Sequence, residues 1–239
     1  MQLVIDIGNT RVKAAVFEQK ELKQSFVFDS TQQLLSEIFK KYSISKAIIG
    51  TVVNGLESFV EQLREKIPVL LFSANTPTPL KNLYKSAHTL GSDRLAAAVG
   101  ANTLFRDQNI LIIDAGTCIK YNFVNTKNEY IGGGISPGLR MRFKALNTFT
   151  SRLPLLEPRN FNTLVGTNSN ESILSGVEIG IVAETEGIIE RYSMQYKGVK
   201  VLLTGGDTDF FEKRLKKPIF ADQNLILKGL NEILEYNKV

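Results

Sequence analysis

The feature that most constrains this chain is a turn that occurs twice. Ile5-Asp6-Ile7-Gly8-Asn9-Thr10 closes one apolar run, residues 2–7, and Ile113-Asp114-Ala115-Gly116-Thr117 closes another, residues 109–114. Each run reads as a short buried strand, and each turn leads into a second strand-like run, 12–17 and 118–124. Each half of the sequence therefore opens with a hairpin whose tight turn carries an acid, a glycine and a hydroxyl. Asp, Gly, Asn and Thr are common turn residues, so one such turn says little. Two at equivalent places point to a duplicated α/β fold: two domains with mixed sheets flanked by helices, and an active-site cleft between the halves. The expected subdomains are 1–108 and 109–239.

Between the hairpins the pattern alternates strand and helix. Residues 22–28 complete a meander. Leu34, Leu35, Ile38 and Phe39 recur at helical spacing within 31–42, where Thr31 is placed to cap. A strand at 46–52, an amphipathic helix at 56–66 and a strand at 69–72 follow, then a Pro-containing loop over 75–89 and an Ala-rich helix over 92–104 capped by Ser92. After the second hairpin come a Gly-rich stretch at 130–138, a helix around 139–146, and a long helix from about 169 to 196. A strand at 200–203, a Gly205-Gly206-Asp207 turn, and helices at 210–216 and 225–236 end the chain.

Composition narrows the chemistry. The single cysteine, Cys118, excludes an internal disulfide and a cysteine metal cluster, and the single histidine, His88, excludes a His-rich site. Both are read as structural residues. No apolar run approaches the ~18 residues needed to span a bilayer, and the N-terminus enters a strand directly, which reads as a cytoplasmic chain. The net charge is +5, but the basic residues are scattered. Their densest groups, 213–217 and the pair Lys40, Lys41, read as solvated helix ends, which argues against a nucleic-acid footprint. A positive field suits an anionic substrate.

The turns suit phosphate. Glycine lets backbone N–H groups approach an anion closely, and the Thr10 and Thr117 hydroxyls can donate to its oxygens. Asp6 and Asp114, at strand ends, can hold a hydrated cation; magnesium keeps several waters and takes one or two carboxylates plus substrate phosphates. Lys13 follows on the return strand. Neither a Walker nor a Rossmann glycine pattern is present. A third element, Thr204-Gly205-Gly206 after an apolar strand, offers bare backbone to a flat ligand, and is equally an ordinary strand-to-helix turn.

Together these segments resemble the two phosphate motifs and the adenosine motif of the actin-like and sugar-kinase ATPase superfamily. Within it the chain resembles the type III pantothenate kinases. The resemblance is carried by Asp6-Ile7-Gly8-Asn9-Thr10-Arg11-Val12-Lys13, Gly91-Ser92-Asp93-Arg94, Asp114-Ala115-Gly116-Thr117 and the glycine-rich run ending Ile135-Ser136-Pro137-Gly138. The segment Ser151-Arg152-Leu153-Pro154 and the pair Ser175-Gly176 are similar too, so the likeness covers nearly the whole chain.

The resemblance implies ATP-dependent phosphorylation of pantothenate, the first step of coenzyme A synthesis; the alternatives on the same fold are a kinase for another small hydroxyl acceptor and a non-catalytic nucleotide- or nucleic-acid-binding regulator. It implies Asp93 as the general base, at a helix start where the dipole suits an anion; phosphoryl transfer through a loose transition state needs only a weak base. Tyr84, Gly91, Ser92, Asp93 and Arg94 are implied to contact pantothenate. So is Ser169, which stands where the family has threonine in Gly-x-Asn-Thr. ATP falls to Asp6, Ile7, Gly8, Asn9, Thr10, Arg11, Val12, Lys13, Thr117, Gly205 and Gly206. The implied metals are Mg²⁺ with ATP at Asp6 and a monovalent cation, K⁺ or NH₄⁺, at Asp114. The resemblance also implies a homodimer. The long helix is its expected contact surface, though Ile173, Leu174, Val177, Ile181, Ile188 and Ile189 equally suit an internal core.

Overall fold

A computed structural model describes residues 1–8 and 10–238; Asn9 lies outside the described residues. The chain forms two compact units. One comprises residues 1–107, 124–132 and the stretch from Asn224 onward; the other comprises 108–123 and 133–223. The units interleave along the chain, whereas the repeat reads as two consecutive halves.

In the first unit, β1 (Gln2–Ile7), β2 (Val12–Glu18) and β3 (Glu21–Phe28) form an antiparallel meander. Helix α1 (Thr31–Lys41) returns the chain to β4 (Lys46–Thr51), and α2 (Glu57–Arg64) returns it to β5 (Val69–Leu71). Both crossovers are parallel, giving the strand order β3-β2-β1-β4-β5. Alternation along β1 and β2 turns Leu3, Ile5, Val12, Ala14 and Val16 toward Leu34 and Ile38 of α1 and Phe59, Val60 and Leu63 of α2. Ser30 rather than Thr31 caps α1, its hydroxyl accepting from the Gln33 N–H at 3.3 Å.

The loop after β5 contains β6 (Lys81–Asn82), too short for periodicity to reveal, and α3 (Ser92–Leu104). The C-terminal helix (Leu225–Tyr236) packs against α3, β1 and β4. Glycine permits this crossing: a Cβ at Gly229 would lie 1.8 Å from the Ala96 carbonyl oxygen, and one at Gly100 would lie 2.5 Å from that of Leu225.

The second unit repeats the pattern. It contains β7 (Ile110–Ala115), most of β8 (Cys118–Val124) and of β9 (Glu129–Pro137), then α4 (Leu139–Thr148), α5 (Ser169–Leu174), α6 (Gly180–Gln195), β10 (Lys200–Thr204), α7 (Thr208–Glu212) and β11 (Phe220–Ala221). The strand order β9-β8-β7-β10-β11, with β10 parallel to both neighbours, matches β3-β2-β1-β4-β5 place by place. The far end of the β8–β9 hairpin belongs to the first unit, where Lys81 and Asn82 pair with Glu129 and Tyr130. The Gly-rich stretch is strand β9. Its glycines allow close approach, since a Cβ at Gly133 would lie 1.6 Å from the Tyr121 carbonyl oxygen.

The expected long helix runs through a π-helical turn, Ser175–Ile179, between α5 and α6. Ile173, Leu174, Val177, Ile181 and Ile189 are buried in the second unit's core, and Ile188 packs against it. The buried Glu178 on this turn accepts from the N–H groups of Arg159 and Phe161 at 2.7 and 2.8 Å and faces Arg214 at 3.4 Å. It thereby ties down the long connection between α4 and α5. Among the described residues no helix is long and apolar enough to cross a membrane.

Two glycine substitutions separate close packing from helix propensity. Gly229→Ala is expected to lower stability by about 1–3 kcal/mol or more through overpacking. Gly187→Ala, in α6 with nothing within 4 Å of the new methyl, is expected to raise it by up to about 1 kcal/mol. Urea midpoints at constant m-value measure both; equal shifts would refute the packing account.

Candidate functional site

The first phosphate-type turn sits at the end of β1. The Gly8 N–H donates to the Arg11 carbonyl at 3.1 Å, closing the hairpin, and the Val52 N–H donates to Ile7 at 3.2 Å, tying it to the end of β4. Asp6 stands opposite Lys13 across the hairpin. Ile7 and Val12 are buried in the core, so they can offer a ligand only backbone. Thr10 and Arg11 are exposed.

The 91–94 segment starts α3. Gly91, not Ser92, is the N-cap residue; the Ser92 hydroxyl instead donates to the Thr51 carbonyl at 2.8 Å and holds the helix start against the end of β4. The Asp93 carboxylate accepts from the Arg94 N–H at 2.8 Å. It folds back over Gly91, where a Cβ would come within 2.5 Å of it, so glycine at 91 is what lets the acid occupy this place. Arg94 is only 5% exposed. Its guanidinium carbon lies 5.4 Å from the Tyr84 ring centroid, within cation–π range. Tyr84 in turn lies 6.2 Å from Tyr130 and against Gly132, whose φ is +132°. A cavity of about 270 Å³ opens beside the helix start, lined by Thr51, Val52, Phe72, His88, Gly91 and Ser92 among others. His88, expected to be structural, is exposed at this cavity.

In the second unit the turn after β7 is enclosed by glycines. A Cβ at Gly138 would lie 2.1 Å from the Gly116 carbonyl oxygen, and one at Gly205, where φ is +100°, would lie 2.2 Å from that of Ala115. The Gly138 N–H donates to Thr117 at 3.2 Å and the Asp207 N–H to Ala115 at 2.9 Å. Arg140 bridges the two flanking segments through Asp207 at 2.8 Å. Burial pushes the Asp207 carboxyl above its ordinary value, and Arg140 opposes that shift. The Thr204 hydroxyl is buried with no partner among the described residues; an orphan of this kind at a Thr-Gly-Gly turn fits a polar ligand group. Gly206 has open space beside its Cα, while Thr117 is exposed. The Asp114 carboxylate accepts from the Lys120 ammonium at 2.8 Å, a partner that the sequence reading missed.

Ser169 is the first residue of α5, in the second unit. Asn168 caps the helix by accepting from the Glu171 N–H at 3.1 Å. Glu171 reaches back past the cap to accept from the Thr167 N–H at 2.8 Å and the Thr167 hydroxyl at 2.7 Å, fixing the chain where it enters the helix. The structure thus gathers Tyr84, Gly91, Ser92, Asp93 and Arg94 in one unit, beside the turn that starts at Asp6. It gathers Asp114, Thr117, Gly205 and Gly206 in the other, with Ser169 on a separate segment there. The Arg140–Asp207 contact has no signature in the sequence, because it joins segments 67 residues apart.

The type III pantothenate kinase family model matches residues 2–191. The chain belongs to that family. A type III pantothenate kinase of Bacteroides fragilis is 46% identical over 240 residues, covering 99% of this chain and 98% of the relative. One of Christiangramia forsetii is 42% identical, with coverage of 100% and 99%. Among solved structures, a Baf family protein from Campylobacter jejuni, described as a transcriptional activator, superposes with a TM-score of 0.65 at 20% identity, covering 99% and 98% of the two chains. The activator of the 2-hydroxyisocaproyl-CoA dehydratase from Clostridium difficile, with bound ADPNP, gives 0.57 at 12% identity, covering 99% and 97%. These structures share the actin-like ATPase fold with this type III pantothenate kinase family member.

The hydrogen bonds from Thr167, and a further one involving Asn168, hold the Glu171 carboxyl below its ordinary value of 4.5. A lowered folded value means that its contribution is present above the unfolded value and lost as pH falls through the folded one. Thr167 amide exchange, corrected for its intrinsic pH dependence, is therefore expected to stay protected down to about pH 4.5 and to loosen only below it. Glu171→Ala is expected to remove that protection already at neutral pH. Protection lost on the alkaline side of 4.5 would contradict the assignment.

Proposed function

We propose that this chain transfers the γ-phosphoryl group of ATP to the primary hydroxyl of pantothenate, giving 4'-phosphopantothenate and ADP as the first step of coenzyme A synthesis. The observation that carries this reading is the 91–94 segment: a carboxylate folded over a glycine at a helix start, beside a buried arginine under a tyrosine, in a chain of this family. The new bond joins the pantothenate hydroxyl oxygen to the γ-phosphorus, and the bond from that phosphorus to the β–γ bridging oxygen breaks. Asp93 accepts the hydroxyl proton.

Arg94 supplies a fixed planar fork of donors for the pantothenate carboxylate. Its burial and its cation–π contact with Tyr84 limit the rotamers it must give up on binding. Gly91, Ser92 and Tyr84 complete the acceptor site, with Ser169 contributing a hydroxyl. The two hairpin turns are the phosphate-binding elements of the two duplicated units. Gly8, Asn9, Thr10, Arg11 and Lys13 serve the first, Thr117 the second, and Gly205 and Gly206 the adenosine side. Asp6 is the residue that would hold magnesium, which supplies charge neutralisation on the phosphates when bound. Among the described residues no three His, Cys, Asp or Glu side chains gather into a metal cage; a magnesium held by one carboxylate, substrate phosphates and water fits that donor set.

A homodimer is part of this reading. The apolar positions of the π-interrupted helix are taken up by the core, but Phe149, Leu155, Leu164 and Val165 of the second unit are 85, 56, 75 and 70% exposed, apolar area that a partner copy would cover. Light scattering at micromolar concentration is expected to give twice the 26.6 kDa chain mass; a monomer would refute it.

Purified protein with ATP and Mg²⁺ is expected to release ADP only when pantothenate is added. Asp93→Asn is expected to lower kcat by about 10²–10⁴-fold, the usual share of a general base, while ATP affinity stays nearly unchanged. ADP release without dependence on pantothenate would overturn the acceptor, and retained turnover in Asp93→Asn would overturn the base.

A further inference from the structure

The family resemblance places a monovalent cation on Asp114, and the residues around Asp114 do not fit a dissolved one. Lys120 already puts its ammonium 2.8 Å from Asp114 Oδ2, with the aspartate side chain 7% and the lysine side chain 23% exposed. A potassium ion at that oxygen would have to displace a tethered cation from a carboxylate largely withdrawn from water.

The placement of Lys120 follows from the hairpin. The Gly116 N–H donates to the Cys118 carbonyl at 3.0 Å. Counting outward from that bond sets Lys120 across from Asp114, on the same face of the sheet. The first hairpin is built alike around a turn one residue longer: the Gly8 N–H donates to Arg11, and Asp6 and Lys13 are register partners. Each duplicated turn therefore carries an aspartate on the outgoing strand and a lysine opposite it on the return strand. In the second turn the pair is closed.

A lysine ammonium and an ammonium ion offer the same chemistry: one positive charge on a tetrahedral nitrogen with N–H donors. The tether gives the lysine an effective concentration in the millimolar range or above at its partner, without drawing on the salt in solution. We propose that Lys120 is a built-in monovalent cation for the second phosphate turn, so that this enzyme turns over without potassium or ammonium. Lys120 is a positioning residue: it acts through Asp114 and the turn, not on the reacting atoms. The inference rests on the reading of the chain as an ATP-dependent kinase.

The test measures ADP release with ATP, Mg²⁺ and pantothenate in choline, sodium, potassium and ammonium chloride at equal ionic strength, together with melting temperatures with and without ATP in each salt. The unmodified protein is expected to keep its rate within about twofold across the four salts and to show the same ATP-induced rise in melting temperature. A rate at least tenfold higher in potassium or ammonium than in choline would overturn the proposal. Lys120→Met is expected to lose at least tenfold in choline, to recover in potassium and ammonium, and to gain a melting temperature that rises with those two ions. A merely structural lysine would give no such ion-specific recovery, and full activity of Lys120→Met in choline would also overturn the proposal. If that variant does not fold, the salt series on the unmodified protein decides alone. If no salt supports turnover, the pantothenate reading fails separately. The ATP-induced melting shift then tests the cation: equal shifts in choline and potassium uphold Lys120, and a shift confined to potassium overturns it.

Discussion

A carboxylate at the end of a fully buried strand must be matched by a cation or by N–H donors, because burying an uncompensated charge costs several kcal/mol even after relaxation. Asp114 is in that position. It is the penultimate residue of β7, the central strand of the second unit, and is 5% exposed. The solution adopted here is local: Lys120 returns along the hairpin to meet it. Because the match lies within the hairpin, the surrounding segments can spend their polar groups elsewhere. The Gly138 N–H and the Asp207 N–H go to the turn's own carbonyls, which fixes the turn from both sides.

Those contacts exist only because the flanking segments carry no Cβ where they touch. Gly138 and Gly205 bring backbone directly onto Gly116 and Ala115. The Arg140–Asp207 bridge then joins one flanking segment to the other. With an exposed arginine its energetic weight is modest, of the order found for partly solvated pairs. Its role is geometric, to hold two glycine-lined walls at a set separation.

The 91–94 segment in the first unit follows the same logic with different parts. Gly91 leaves room for the Asp93 carboxylate, Ser92 spends its hydroxyl on β4, and Arg94 is held beneath Tyr84. Each side chain is fixed by a neighbour outside the motif, which is what a site needs to hold reacting groups in place. In the second unit, Glu171 and Glu178 do comparable work for the segments around Ser169 and Phe161, accepting backbone N–H groups that the irregular chain leaves without strand or helix partners.

The sequence by itself determined the duplication, since buried strands ending in Asp-x-Gly turns have a pattern that survives without knowledge of contacts; the matching strand orders of the two sheets carry it into three dimensions. It also determined most of the helices, through apolar spacing, and the family, through the 91–94 segment and the two turns taken together. Only the tertiary structure decided the rest. The Gly-rich stretch is a strand because Gly133 fits over the Tyr121 backbone, a fact about a neighbour on another strand. The C-terminal helix joins the first unit because Gly229 and Gly100 allow two helices to touch, although some 120 residues of sequence separate them. The apolar face of the π-interrupted helix is core because five of its positions are buried in the second unit; periodicity gives a face but not what covers it. Lys120 is the intermediate case. Its place opposite Asp114 can be counted along the hairpin, but that the two side chains close to 2.8 Å is decided by burial around the turn, which a linear pattern does not encode.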